Sequence, residues 1–405
     1  MKILQISEND IYGHKFNGFD LSKKLNQKNI NSSMCVWNKY SSEKFVWKIA
    51  NFKGRYFING IIAGLEKRLS VQSLFYINPF FLLFNKKFLK ADVIHYHLIH
   101  NGFFSLFALP ILTRFKPSVW TLHDPWAITG HCIHSFDCMK WKSGCGKCPY
   151  LKTHIPLDKD HTAFMWKIKQ FIYKHSRLNI IVASSFMLNR VKESSLFKNH
   201  KINQIPFGLN INQFKPYNIV NSKKKFSIPK DSIVIFFRSE ENEFKGLKYI
   251  KEALNKIKST NKIFLLTVAK KGLLTGLEKK FKIIELGWVV DDTAMINAYN
   301  ACDMFIMPST QEAFGLMAVE AMLCGKPVIS FSGTSLQEIT FAPKGGITVP
   351  MGDSMALYKQ IIYLIDNPGA RIKLGNEARK IACDNYNEQT YINNIVKLYR
   401  DISFK

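Results

Sequence analysis

The stretch Asp303–Ser330, DMFIMPSTQEAFGLMAVEAMLCGKPVIS, leaves few folds open. A short apolar run, Met304–Met307, stops at Pro308-Ser309, and a loop carrying Glu312 and Gly315 follows. Leu316–Leu323 then reads as a helix ended by Cys324-Gly325-Lys326-Pro327, and Val328-Ile329-Ser330 opens another buried strand. Strand, loop, helix, strand is the unit of an open α/β sheet. Its loop lies at a strand's carboxyl end, where such sheets bind ligands. Glu312 and Glu320 stand eight residues apart, one in the loop and one in the helix. Two carboxylates beside the positive end of a helix suit a ligand with hydroxyls on one part and phosphate on another. Two surface glutamates flanking an ordinary amphipathic helix would share that spacing.

The wording of the whole stretch separates the two readings. PST-x-E-x-FG-x4-E-A-M-x2-G-x-PV resembles the retaining, nucleotide-sugar-dependent glycosyltransferases of the large GT-B family 4. The resemblance implies an α/β protein of two doubly wound Rossmann-like domains facing a central cleft. Residues 1–206 would form the acceptor-side domain, 207–225 a hinge and linker, and 226–386 the donor-binding domain, with a terminal helix within 387–405 crossing back onto the first. A chain of 405 residues is long enough for two such cores.

Hydrophobic residues make up 47% and charged residues 21%, so most of the chain should fold. The net charge of +27 favours acidic partners, either phosphate-bearing substrates or anionic headgroups, although a lysine-rich background accounts for part of it. Residues 1–206 carry 30 of the 57 Lys and Arg against only 11 Asp and Glu. Met1–Ile6 is a short apolar strand rather than a secretory leader, and no apolar run approaches the ~20 residues of a membrane span. A cytoplasmic protein is expected, its cysteines reduced or metal-bound.

Lys2–Ser7, a helix near Phe19–Lys28 and Ser33–Trp37 form a βαβ unit. In family 4 the first loop is glycine-rich so that backbone can approach the donor diphosphate. Here Gly13 and Gly18 are separated, and His14-Lys15 replaces an adjacent glycine pair, which makes Lys15 the candidate phosphate cation. Residues 44–90 interleave Phe and Tyr with Lys and Arg. They are either helices packed on the sheet or a surface that docks on an anionic membrane.

Two successive strands end in histidines, Asp92–His97 and Ser118–His123, and both ends should face the crevice. The resemblance brings His97 and His123 near the donor sugar or the reacting centre. Downstream, Cys132-x5-Cys138-x6-Cys145-x2-Cys148 places four thiols within 17 residues, enough for a structural zinc. His131 and His134 are candidate substitutes for one thiol; a pair of disulfides, disfavoured in a cytoplasmic protein, and a reduced cluster without metal are the alternatives. The insert 131–151 resembles that of family-4 enzymes building exopolysaccharide and O-antigen, of the colanic-acid type.

After the I-P-x-G…F-x-P turn at Ile205–Pro216 and the polar run Asn218–Lys225, a strand ends in Arg238, and Lys245-Gly246 opens a helix. The resemblance makes Arg238 and Lys245 the diphosphate cations, though R-x6-K-G is two residues longer than the family's usual spacing. It also assigns the base to the turn at Trp288 and Val289, sugar hydroxyls to Glu312, ribose hydroxyls to Glu320, and anion-binding amides to Phe314, Gly315 and Leu316. Asp291-Asp292 reads as a helix cap.

The resemblance implies that such positive side chains take the place of a catalytic metal, so none is expected. The reaction implied is transfer of a sugar from a nucleotide-diphosphate sugar to a hydroxyl of a lipid-linked glycan. A sugar-nucleotide epimerase or a polyanion-binding protein would fit parts of the pattern. No helix-turn-helix, RNP-like motif or zinc-finger His pair supports nucleic-acid binding.

Overall fold

The computed structural model describes residues 1–153 and 155–403. The chain forms two compact units, one from Met1–Pro206 together with the chain from Tyr391 onward, the other from Phe207–Thr390. The last two positions of the expected segment 387–405 lie outside the described residues.

In the first unit the strands are β1 (Lys2–Asn9), β2 (Asn31–Asn38), β3 (Val46–Lys48), β4 (Val93–Tyr96), β5 (Ser118–Thr121), β6 (Leu178–Val182) and β7 (Lys201–Gln204). They pair in the order β3-β2-β1-β4-β5-β6-β7, all parallel. The second unit has β8 (Ile233–Ser239), β9 (Ile263–Ala269), β10 (Lys282–Glu285), β11 (Met304–Met307), β12 (Val328–Phe331) and β13 (Ile347–Val349). Their order is β10-β9-β8-β11-β12-β13, again all parallel.

Parallel strands are covered on both faces, so their sequences run apolar without alternation. Every residue of β4, β5, β9 and β12 is buried. In the second unit Ile235, Leu265, Ile306 and Ile329 form the core with Leu357 and Ile361 of the helix Ser354–Asp366. Truncating one of these to alanine costs about 2–5 kcal/mol. Strand order reverses between β1 and β4 in one unit and between β8 and β11 in the other. The crevice at each switch point, above the carboxyl ends, is where a ligand fits.

Two local expectations change. The polar run at 218–225, read as linker, contains the helix Ile219–Lys224, capped by Asn218 accepting from Asn221 N at 3.0 Å. Its Lys223 is buried, 3.0 Å from the buried Asp303 carboxylate, and donates to Ser232 O at 2.6 Å. Lysine is usually solvated, and only a carboxylate brought by the fold makes such burial tolerable. The second change concerns residues 44–90. The helix Arg55–Leu69 buries only Arg55 and Glu66, while Tyr56, Phe57, Ile61, Leu65 and Leu69 are exposed. The packing reading therefore fails for this helix.

Candidate glycosyl-transfer site

In the second unit two loops meet at the switch point, one after β8 and one after β11. Gly246 adopts φ +76°, and a Cβ there would lie 2.0 Å from Pro308 O, so only glycine lets the loops approach this closely. Thr310 N donates to Phe244 O at 2.8 Å and fastens them together. This juxtaposition brings Lys245 Nζ to 3.0 Å from Glu312 Oε2, both side chains mostly buried. Ser335 Oγ donates to Glu312 O at 3.0 Å and Phe314 O at 3.2 Å, steadying the loop.

The helix Leu316–Leu323 begins at Gly315, whose left-handed backbone turns the chain into it. The first intrahelical bond is Ala318 N to Gly315 O, so the amides of Gly315, Leu316 and Met317 precede the helical ladder. Such amides, with the helix dipole, form an anion-binding end. Arg238, at the end of β8, has Nε 2.5 Å from Glu240 Oε2, and its guanidinium lies 5.2 Å from the Trp288 ring. Trp288 is 71% exposed, in the turn after β10, with Val289 half-buried beside it. A broad exposed ring backed by a cation suits stacking with a planar base.

Glu320 lies deeper, 4% exposed, and its Oε2 accepts from the Tyr299 hydroxyl at 2.8 Å. Burial, and then the Glu320 charge, push the Tyr299 phenol well above its usual range, so it remains a donor. No local signal marks Tyr299, because it sits among the apolar residues of the helix Asp292–Ala301. Asp291 caps that helix as expected, accepting from Thr293 N and Ala294 N. The fold thus gathers Arg238, Lys245, Glu312 and the amides of Gly315 and Leu316 at the carboxyl ends of β8 and β11, with Trp288 joined through Arg238.

The first unit holds the other candidates. Gly13 has φ +75°, and its carbonyl accepts from Phe16 N and Asn17 N, making the tight turn in which Lys15 is half-buried. Asn17, missed in the sequence, organises this loop. Its Nδ2 bonds the carbonyls of Asn9, Asp10 and Tyr12, and its Oδ1 accepts from Phe19 N.

His97 is 2% exposed and spends both ring nitrogens on protein partners, Nε2 on Gln5 Oε1 at 2.8 Å and Nδ1 on His123 Nε2 at 3.3 Å. Through Nδ1 it holds His123 in place. Beyond Gln5 the chain of bonds continues through the Tyr399 hydroxyl to His95 Nδ1, and from His95 Nε2 to Thr121 Oγ1. A consistent set of hydrogens along it makes every imidazole neutral, with His123 donating through Nε2. Burial depresses all three histidines, His95 to about 3, and their mutual repulsion lowers them further.

The cysteines of the insert converge as well. His131 Nε2, Cys132 Sγ and Cys148 Sγ fall within 4.8 Å of one another, with His131 Nε2 to Cys148 Sγ at 3.6 Å. Cys138 and Cys145 line the same small void. Among the described residues no disulfide joins any of the eight cysteines. Burial, and then the neighbouring thiols, push Cys132 up to about 12.

Comparison with known proteins fits these two halves. The family model for Glycosyltransferase Family 4 matches residues 47–213, and that for Glycosyl transferases group 1 matches residues 218–381. A protein of Escherichia coli strain K12 named for colanic acid biosynthesis glycosyl transfer is 24% identical over 64% of this chain, and the match spans 64% of its own length, just under two thirds. An uncharacterized 41.2 kDa protein from the cps region of Klebsiella pneumoniae is 24% identical over 82% of this chain and 84% of its own. Anabaena HepE, solved with UDP and glucose, superposes with a TM-score of 0.67 at 16% identity, covering 99% of this chain and all of its own. With two parallel-sheet Rossmann-like units and both family models in sequence order, the chain belongs to the GT-B glycosyltransferases, its N-terminal half of Family 4 type and its C-terminal half of group 1 type.

Proposed function

We propose that the protein transfers a sugar from a nucleoside-diphosphate sugar to a hydroxyl of a lipid-linked glycan, with retention of anomeric configuration, during bacterial surface-polysaccharide synthesis. The observation that carries this reading is the Lys245–Glu312 pair at the second unit's switch point. A cation for phosphate and a carboxylate for sugar hydroxyls lie within one bond of each other there. Leaving-group charge is the main obstacle in such a transfer, and preorganised cations and amides are the strongest way to stabilise it. Arg238 and Lys245 supply the charge and the 314–316 amides the dipoles, so the reaction needs no divalent cation.

Glu320, oriented by Tyr299, takes the ribose hydroxyls, and Trp288 with Val289 flanks the base. Lys15 and Gly13 form the first unit's candidate phosphate turn, and His123, held neutral by burial and bonded to His97, is its candidate contact for the sugar or acceptor. A polysaccharide setting is supported by the colanic acid and cps names of the relatives, and a UDP-type donor by HepE.

The acceptor's lipid is supported by the exposed apolar face of the helix Arg55–Leu69 with Lys53, Lys67 and Arg68 around it, and by Phe84, 84% exposed, beside Lys86 and Lys87. Among the described residues no helix is long and apolar enough to cross a membrane, so contact would be peripheral, at the cytoplasmic face. The decisive experiment incubates a panel of nucleotide sugars with and without lipid-linked acceptors, and follows nucleoside diphosphate release and product anomer. Acceptor-dependent release with retained configuration is expected. Acceptor-independent conversion of the donor would instead identify an epimerase.

A further inference from the structure

The segment between β5 and the helix Thr162–Lys174 carries His123 at its start, and among its described residues the regular structure is limited to the short 3₁₀ turns Pro125–Ile128 and Lys140–Lys142. A connection of this length needs something other than a backbone ladder to hold it. At its centre lie five soft or borderline donors, His131, Cys132, Cys138, Cys145 and Cys148, lining one void.

Three of them already point at a common centre, with all ligand atoms within 4.8 Å of one another. Cys145 Sγ accepts a hydrogen bond from Gly130 N at 3.2 Å, an interaction that favours a sulfur carrying negative charge. Gly146 and Lys147, both at positive φ, turn the chain between Cys145 and Cys148 so that both sulfurs reach the void.

We propose that His131, Cys132, Cys145 and Cys148 form a structural zinc site that staples this segment. Three thiols lose their protons on binding, and Zn²⁺ with three thiolates and one neutral imidazole carries one net negative charge. The fold supplies one counter-charge. Lys169 is fully buried, its Nζ donating to Trp126 O at 2.7 Å and Thr129 O at 2.9 Å, and its charge acts on Cys145 and Cys132. Among the described residues those two carbonyls are its hydrogen-bond acceptors, and a buried ammonium so placed is costly unless anionic charge lies nearby, which the thiolates supply together with Asp124. Lys169 also sits 3.5 Å from the Trp126 ring centroid, and Trp126 stacks on His100, which lies 3.3 Å from Asp124. The staple is thereby coupled to the residues next to His123. Four protein ligands close the sphere, so the metal's role is to hold the segment, not to react.

Zinc is measured by elemental analysis of the full chain purified under reducing conditions from zinc-replete cells. About one per chain is expected, and its absence overturns the site. X-ray absorption at the zinc edge of the wild-type protein should give three sulfurs near ~2.3 Å and one nitrogen near ~2.0 Å. A four-sulfur shell overturns the assignment of His131. Cys138→Ser should keep its zinc while Cys145→Ser loses it, and the reverse overturns the fourth ligand. Where Cys145→Ser does not fold, the absorption shell and Cys138→Ser carry the test.

Discussion

Lys245 Nζ sits 3.0 Å from Glu312 Oε2, the cation from the loop after β8 and the carboxylate from the loop after β11. Each neutralises the other before a ligand arrives, so a diphosphate must take over Lys245 while sugar hydroxyls take over Glu312. Lys245→Met removes the phosphate charge and should weaken nucleoside diphosphate binding by ~10-fold or more, the loss of one charge-assisted contact. Glu312→Gln leaves Lys245 without its carboxylate, so diphosphate affinity should hold or rise while turnover falls by ~10²-fold. Calorimetry with the nucleotide alone, set beside turnover with the full donor, checks both. Parallel losses in both measurements for Glu312→Gln would refute the division of labour.

Arg238 holds Glu240 on one side and the exposed Trp288 ring on the other. If its guanidinium stabilises the leaving diphosphate, Arg238→Ala should lower kcat by ~10²-fold or more, as removal of an electrostatic donor typically does. Steady-state kinetics at saturating donor read this directly. Near-normal kcat with a raised KM would reduce Arg238 to a ground-state contact.

Tyr299 bonds Glu320 from within the core. Tyr299→Phe removes one hydrogen bond to a charged group, worth about 1.5–3 kcal/mol, and part of that should appear as a ~3–10-fold weaker nucleotide affinity. Glu320→Ala should weaken affinity further while the chain stays folded. Isothermal titration of both variants tests the order, and unchanged affinity in Glu320→Ala would end the ribose assignment.

The buried histidines make the first unit sensitive to acid. His95, depressed to about 3, and His97, well below its ordinary value, stay neutral in the folded state, whereas the unfolded chain protonates them near the ordinary ~6.5. Below that pH the unfolded state binds more protons, so stability is full above it and falls as pH drops. Each histidine contributes about 1.4 kcal/mol per pH unit. Denaturant midpoints at pH 7.5 and 5.5 should differ accordingly. His95→Gln should flatten the dependence, and an unaltered slope in that variant would contradict this origin.

The exposed face of the helix Arg55–Leu69 should partition into anionic bilayers. Replacing Phe57 and Ile61 together by serine removes two insertable apolar side chains, each worth about 1.5–3 kcal/mol when fully buried, and should cut vesicle binding by at least ~10-fold. Sedimentation with anionic and neutral vesicles measures it. Equal binding by wild type and variant would point to another docking surface.

Much of this protein is written locally. The helix read as Leu316–Leu323 and the strand read as Met304–Met307 carry those same boundaries in the structure, because periodicity and terminating residues act over a few positions. The separation of Glu312 from Glu320 and the convergence of thiols in the insert were legible for the same reason. Tertiary structure decided the partners. Lys245 meets Glu312 across 67 residues because β8 pairs with β11, a choice no local pattern contains. Tyr299 finds Glu320, Lys223 finds Asp303, and His131 joins Cys132 and Cys148 only once the chain has folded. His97 is bonded to Gln5, and Gln5 to Tyr399, because β1 and the helix Glu388–Ser403 become its neighbours. Local sequence sets which elements form, but burial and pairing depend on which elements become neighbours, and that is fixed by packing the whole core.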